Sequence, residues 1–211
     1  MTIMDLGIHI KNRDVSPVEV AHAFIRRIDR IEPLINAFIT RMDEHAVVAS
    51  KEAEQQIMKG NYKGPLHGIP VGLKDLFWSK GTRTTSGSKI DDKFVPSIDS
   101  AIYSRLKRAG AYCIGKLHMT EFAFDGTSLN LHYGPARNPW DLKRMAGGSS
   151  SGPAAAVASD MVPVAIGTDT GGSVRVPASL CGITGLKPSF GLISRFGVTP
   201  LSWSMDHVGP M

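Results

Sequence analysis

The sequence predicts an α/β fold in which a mixed, partly parallel central sheet is flanked by helices. Two observations carry this. From residue 64 onward, short apolar runs bounded by glycines alternate with helical patterns, as buried parallel strands and their crossover helices require. Ahead of them lies a segment with helical periodicity. At 211 residues and 42% hydrophobic, the chain can bury a substantial core, and its mean hydropathy of −0.04 is that of an ordinary globular protein. One domain is expected, with residues 1–62 a helical segment packed on a core formed by 63–211.

The elements follow in order. "SPVE" at 16–19 is a capping box, with Ser16 at the N-cap, Pro17 at the first helical position and Glu19 reaching back. Val18, Ala21, Phe24, Ile25 and Ile28 then recur at helical spacing. A second helix runs from about Asp43 to Lys59 and stops at Gly60. "GIPVGLKDLF" reads as a strand carrying Lys74, "DSAIYSRLKRAG" as a helix, "AYCIGKLHM" as a strand, "PAAAVASDM" as a short helix and "VPVAIGTDT" as a strand. The last stretch, "FGVTPLSWSMDHVGPM", shows no closing helix.

Composition narrows the function. The net charge of +5 and pI near 9.3 come from scattered residues such as Arg26, Arg27, Lys80, Arg83, Arg105, Lys107 and Arg108. No basic run with interleaved aromatics is present, so direct nucleic-acid binding is not expected. Cys113 and Cys181 lie far apart with no metal-ligand spacing, and Cys113 sits in an apolar run as a small buried thiol. The expectations are no metal, no disulfide, no cofactor and no membrane span, in a cytoplasmic protein.

Two stretches can hold chemistry. In "GTDTGGSVRVPAS", Gly171 and Gly172 precede Ser173, so backbone N–H groups can converge beside a hydroxyl; the stretch is either a nucleophile with its oxyanion pocket or a serine-capped turn. "GGSSSG" at 147–152 places three hydroxyls ahead of a small-residue helix. A serine nucleophile needs a base. His45 lies on an amino-terminal helix and His9 near the start; His67, His118, His132 and His207 carry no accompanying acid pattern, and the GxSxG elbow is absent. Lys74, flanked by Val71, Leu73, Leu76 and Phe77, is the other choice, although such a lysine more commonly extends its ammonium to water. To act as a base it must fall from a pKa of about 10.4 to about 7, a bias of roughly 4–5 kcal/mol that an apolar, positively biased pocket would supply.

Taken together, "PLHGIPVGLKD", "GKLHMTEFAF", "NPWD", "GGSSSG", "GTDTGGSVRVPAS" and "CGITGLKP" resemble, in this order, the amidase signature family of serine hydrolases. The resemblance covers nearly the whole chain, and the separations of 75 residues from Lys74 to Ser149 and 24 from Ser149 to Ser173 are those of the family. It implies a Ser–cis-Ser–Lys triad: Ser173 as nucleophile, Ser149 as bridging serine behind a cis bond from Gly148, and Lys74 as base. Thr170, Gly171 and Gly172 would supply the oxyanion hole with the N–H of Ser173. Asp169 and Arg175 would brace that loop, Ser150 and Ser151 would serve as turn and helix-cap hydroxyls, and Ala123, Phe124 and Asp125 would line the acyl pocket. Asp125 stands where many relatives have glycine, and "SSSGP" departs from the commoner "SSGGS". The implied activity is hydrolysis of a small-molecule amide through an acyl-enzyme. A glutaminase subunit of a tRNA-dependent amidotransferase and an inactive derived module are the alternatives. A homodimer and amidotransferase partner subunits both remain open as assemblies. A nucleotide-binding loop is disfavoured, since neither G-x-x-x-x-G-K-[ST] nor G-x-G-x-x-G occurs. Family members are more than twice this long, so the sheet is expected to be incomplete on its carboxy-terminal side and turnover by the 211 residues weak.

Overall fold

The computed structural model describes residues 2–211. Helices α1 (Ile3–Asn12), α2 (Pro17–Ile35) and α3 (Asp43–Met58) dominate the first part. Between α2 and α3 lies strand β1 (Phe38–Arg41). Then come β2 (Pro70–Lys74), α4 (Ala101–Arg108), β3 (Tyr112–Leu117), the hairpin β4 (Arg137–Asn138) and β5 (Asp141–Met145), α5 (Ser151–Ala158), β6 (Ala165–Asp169), α6 (Arg175–Cys181) and β7 (His207–Pro210). The predicted capping box is formed: Ser16 Oγ accepts from the Val18 N–H at 3.0 Å, and Glu19 accepts from the Ser16 N–H at 2.9 Å.

The main sheet has the order β1-β3-β2-β6-β7. The central pairs β3–β2 and β2–β6 are parallel, while β1 and β7 join antiparallel at the two edges. Every residue of β2, β3 and β6 is buried, which explains why these strands read as apolar runs without alternation. One sequence expectation needs correction. Residues 1–62 are not purely helical, because Phe38–Arg41 leaves the helical segment to become an edge strand of the central sheet. Four residues are too few to carry a periodicity signal against two long helical neighbours. The chain end holds β7, which pairs with β6 in register from Ile166↔Pro210 to Asp169↔His207.

The core is divided by the sheet. One cluster gathers Ile28, Ile35, Ile114, Leu117, Met161 and the alanines of α5, a second Val71, Leu73, Phe77, Cys113 and Val208, and a third, smaller one Ile10, Val20, Ile57 and Ile69. Cys113 is buried as expected, and burial pushes its thiol up to about 11. No helix among the described residues is long and apolar enough to cross a membrane.

Candidate active site

In open α/β sheets, ligands gather at the carboxyl ends of the parallel strands. Lys74 is the last residue of β2, and Thr168 and Asp169 end the neighbouring β6. Lys74 is fully buried. Its Nζ lies 2.7 Å from Ser149 Oγ and 2.8 Å from Thr168 Oγ1. Burial lowers its pKa to about 7, and the carboxylates of Asp169 and Asp206 work in the opposite direction. The expected positive bias is therefore absent: desolvation alone carries the shift, against a negative surrounding field.

Ser149 sits in the turn ahead of α5, and the Gly148–Ser149 bond is cis, as the resemblance implied. Glycine is required beside it, since a Cβ at 148 would stand 1.8 Å from the Thr127 carbonyl oxygen. Gly152 is equally confined, with the His118 amide nitrogen and the Ala37 carbonyl oxygen within 2.4 Å of a built Cβ. The other two serines differ from expectation. Neither acts as a side-chain cap of α5. Ser150 Oγ donates to the Thr168 carbonyl at 3.2 Å and accepts from the Thr168 N–H at 3.3 Å, clamping the loop to β6 rather than reaching Lys74. Ser151 Oγ lies 2.8 Å from His118 Nδ1, whose Nε2 lies 2.8 Å from the Gly134 carbonyl oxygen. Burial lowers the His118 pKa to about 4, so this imidazole is neutral and structural.

Ser173 belongs to the loop between β6 and α6. The Ser150 N–H donates to its carbonyl at 3.2 Å, which ties the two serine loops together. Asp169 organises the rest, accepting from the N–H groups of Gly172 (2.9 Å), Val174 (3.2 Å) and Arg175 (3.3 Å) and from two guanidinium nitrogens of Arg175 at 3.0 Å each. Asp169 and Arg175 thus brace the loop. The Gly172 N–H is committed to Asp169, whereas those of Thr170, Gly171 and Ser173 find no acceptor among the described residues. Three amides, rather than the predicted four, are free for an oxyanion.

Ser173 lines a pocket of about 460 Å³ together with Gly148, Thr170, Gly171 and Gly172, and the predicted Ala123, Phe124 and Asp125 line it as well. The hydrogen-bonded chain expected from Lys74 to Ser173 stops one link short. Lys74 reaches Ser149, but among the described residues the Ser173 hydroxyl has no partner. Such bonds commonly tighten only when substrate is present. Asp125 is satisfied locally, its carboxylate accepting from the Thr127 N–H and hydroxyl at 2.8 Å each.

Four contributors escaped the sequence reading. Thr168 is the second partner of the lysine. Asp206 accepts from Thr170 Oγ1 at 2.6 Å and from the Leu201 N–H at 2.9 Å. Val176 and Leu201 complete the pocket wall. Only Thr168 left a signal, as a hydroxyl following the small and apolar residues 165–167 of a buried strand. The motif "NPW" has an anchoring part instead: Asn138 Nδ2 donates to the Leu180 carbonyl at 2.9 Å and Trp140 Nε1 to that of Cys181 at 2.7 Å, fixing the β4–β5 hairpin to α6.

Comparison with known proteins agrees with this architecture. The family model described as Amidase matches residues 19–211. A glutamyl-tRNA(Gln) amidotransferase subunit from Methylococcus capsulatus is 46% identical over 210 residues, spanning 100% of this chain and 43% of that protein. A chain solved within an unexpected vestigial protein complex, tied to the evolutionary origins of an s-triazine catabolic enzyme, superposes with a TM-score of 0.97 at 43% identity, over 100% of this chain and 46% of its own. Native peptide amidase from Stenotrophomonas maltophilia gives 0.95 at 35% identity, with 45% of that chain covered. The present chain thus spans less than half the length of the relatives it matches. With the lysine, the two serine loops and a match over residues 19–211 in hand, the chain belongs to the amidase signature family.

Proposed function

We propose that the chain carries the catalytic end of an amide-cleaving enzyme that uses Lys74 as base, Ser149 as proton relay and Ser173 as nucleophile. The observation that carries the reading is the buried Lys74 Nζ, held 2.7 Å from Ser149 Oγ with a pKa near 7. A neutral amine keeps one N–H on Thr168 and turns its lone pair to the Ser149 hydroxyl. Ser149 passes its proton to Lys74 as it takes the proton of Ser173, and Ser173 Oγ bonds to the amide carbon. The resulting oxyanion lies against the free N–H groups of Thr170, Gly171 and Ser173. The stored proton returns through Ser149 to the leaving nitrogen as the C–N bond breaks, and water then cleaves the ester by the same route.

The relatives refine the substrate. Eight curated proteins at 45–47% identity are all the same component of glutamyl-tRNA(Gln) amidotransferase, while the peptide amidase stands at 35%. This favours a glutaminase-type subunit that releases ammonia for a partner over a free-standing amidase. Ammonia release should be followed from glutamine and from a panel of small amides, with and without amidotransferase partner subunits. Glutamine cleavage that appears with the partners and vanishes in Ser173→Ala supports the reading. Partner-independent hydrolysis of simple amides returns the chain to the amidases, and activity that survives Ser173→Ala removes the mechanism.

A further inference from the structure

Six non-glycine residues among those described hold a positive φ, a backbone conformation that side chains disfavour. Arg13 and Asn36 cap helices and Asp160 follows α5, places where such a turn is common. The other three, Ser86 (55°), Phe122 (46°) and Ala123 (62°), meet at one hydrogen bond, from the Phe122 N–H to the Ser86 carbonyl at 2.8 Å. Ala123 belongs to the lining of the Ser173 pocket. A bulky residue such as Phe122 keeps this backbone only where its surroundings over-determine it.

Ser86, in the loop between β2 and α4, is 0% exposed, and each of its polar groups is engaged by a different segment. Its N–H donates at 3.0 Å to the carbonyl of Asp75, the residue directly after Lys74. Its carbonyl takes the Phe122 N–H. Its hydroxyl donates to Thr199 Oγ1 at 3.0 Å. One buried residue thus joins the end of the lysine strand to the turn 122–126 and to the segment 199–201.

These last two segments both line the pocket, the first through Ala123, Phe124, Asp125 and Gly126, the second through Leu201. Each has a further tether. The Gly126 carbonyl accepts from the Gly148 N–H at 2.8 Å, and the Leu201 N–H donates to the Asp206 carboxylate at 2.9 Å. Those bonds fix one end of each segment, and Ser86 fixes the other ends to each other. Glycine would hold a φ of 55° without strain and would keep both backbone bonds. What serine adds at this strained position is the hydroxyl, and the hydroxyl goes to Thr199.

We propose that Ser86 is a positioning residue: through its hydroxyl it couples the 122–126 and 199–201 segments of the pocket lining and so limits the size of acyl group that the pocket admits. The size limit rests on the proposed acyl-enzyme chemistry at Ser173, whereas the coupling rests on the hydrogen bonds alone.

Both parts are read on the 211-residue chain. Amide hydrogen exchange follows the coupling. Thr199→Val removes the hydroxyl on one segment, and the Phe122 amide on the other should exchange about fivefold faster, as expected for the loss of one neutral hydrogen bond. Thr199→Ser, which keeps the hydroxyl, should hold the parent rate. Ser86→Ala should match the valine variant, and the double variant should be no faster than either, since both remove the same bond. If Ser86→Ala fails to fold, Thr199→Val carries the test. Labelling of Ser173 by two fluorophosphonates, one with a methyl and one with a phenyl group on phosphorus, follows size. Loss of the tie should raise the phenyl-to-methyl rate ratio about fivefold while the methyl rate holds. The proposal is overturned if Phe122 exchange ignores Thr199→Val, if the rate ratio stays at the parent value, or if both probes slow together as general loosening of the fold would make them. A parent that takes no label sinks the proposed function and the size limit with it, while the exchange rates still decide the coupling.

Discussion

At the scale of the residue, the burial of Lys74 ties its ionisation to stability and, in the proposed mechanism, to activity as well. Its folded pKa is depressed, to about 7 from 10.5. Between those values the unfolded chain holds a proton that the folded chain does not, so stability rises with pH across that window, by up to about 5 kcal/mol. Below pH 7 the fold bears the cost of a buried ammonium. Lys74→Met should therefore abolish amide cleavage yet flatten this rise, as denaturant titrations between pH 6 and pH 10 would show; a parallel rise in the variant would place its origin elsewhere. Activity of the parent should climb as pH passes through about 7, since the base works when neutral. Thr168→Val tests the second contact. It keeps the volume but removes the acceptor that aims the lone pair, and kcat should fall about tenfold with KM little changed. An unaltered kcat would reduce Thr168 to packing.

At the scale of the element, the loop from β6 into α6 is held by one carboxylate. Burial alone would raise the pKa of Asp169, but the hydrogen bonds from Arg175 and the Val174 and Arg175 amides bring it below the ordinary value. Asp169→Asn keeps the size and loses charge and acceptor capacity at a fully buried site, so a loss of about 2–3 kcal/mol is expected. Arg175→Ala should cost less, since its side chain is half exposed and screened. Equal losses in thermal melts would contradict this ranking. The same region shows what could be read in advance. The motifs of the resembled family pointed to Lys74, Ser149, Ser173 and the bracing pair, and the fold brings Lys74 to Ser149 and Arg175 to Asp169. They left out α6, whose seven residues begin directly after the glycine loop, and β1 and β7, at four residues each. Elements this short exist through pairing and packing with distant partners, and local periodicity holds no trace of those. Asp206 was missed for the same reason: it enters the site only when β7 folds back along β6.

At the scale of the whole molecule, the residues proposed to transfer protons and the wall of the Ser173 pocket differ in burial. Lys74, Ser149 and Asp169 are buried within this chain. The pocket beside Ser173 is walled more thinly: Phe124 in its lining is 79% exposed. Elsewhere on the chain large apolar side chains at Phe190, Leu192, Phe196 and Trp203 are likewise open to solvent. The chain also spans only 43% of the length of the amidotransferase component it matches. In the proposed mechanism nucleophile activation needs the first set of residues, whereas orienting an amide and excluding water needs a closed wall. A small fluorophosphonate, which reacts with an activated serine without much pocket contact, should therefore label the 211-residue chain at Ser173. Labelling should be lost in Ser173→Ala and slowed in Lys74→Ala. Amide turnover by the same preparation should remain far below that of a full-length relative, with the deficit mainly in KM and acyl transfer. Turnover matching the full-length enzyme would show that the open wall is irrelevant to catalysis. Absence of labelling in a folded sample would show that the lysine and the two serines do not form a working unit.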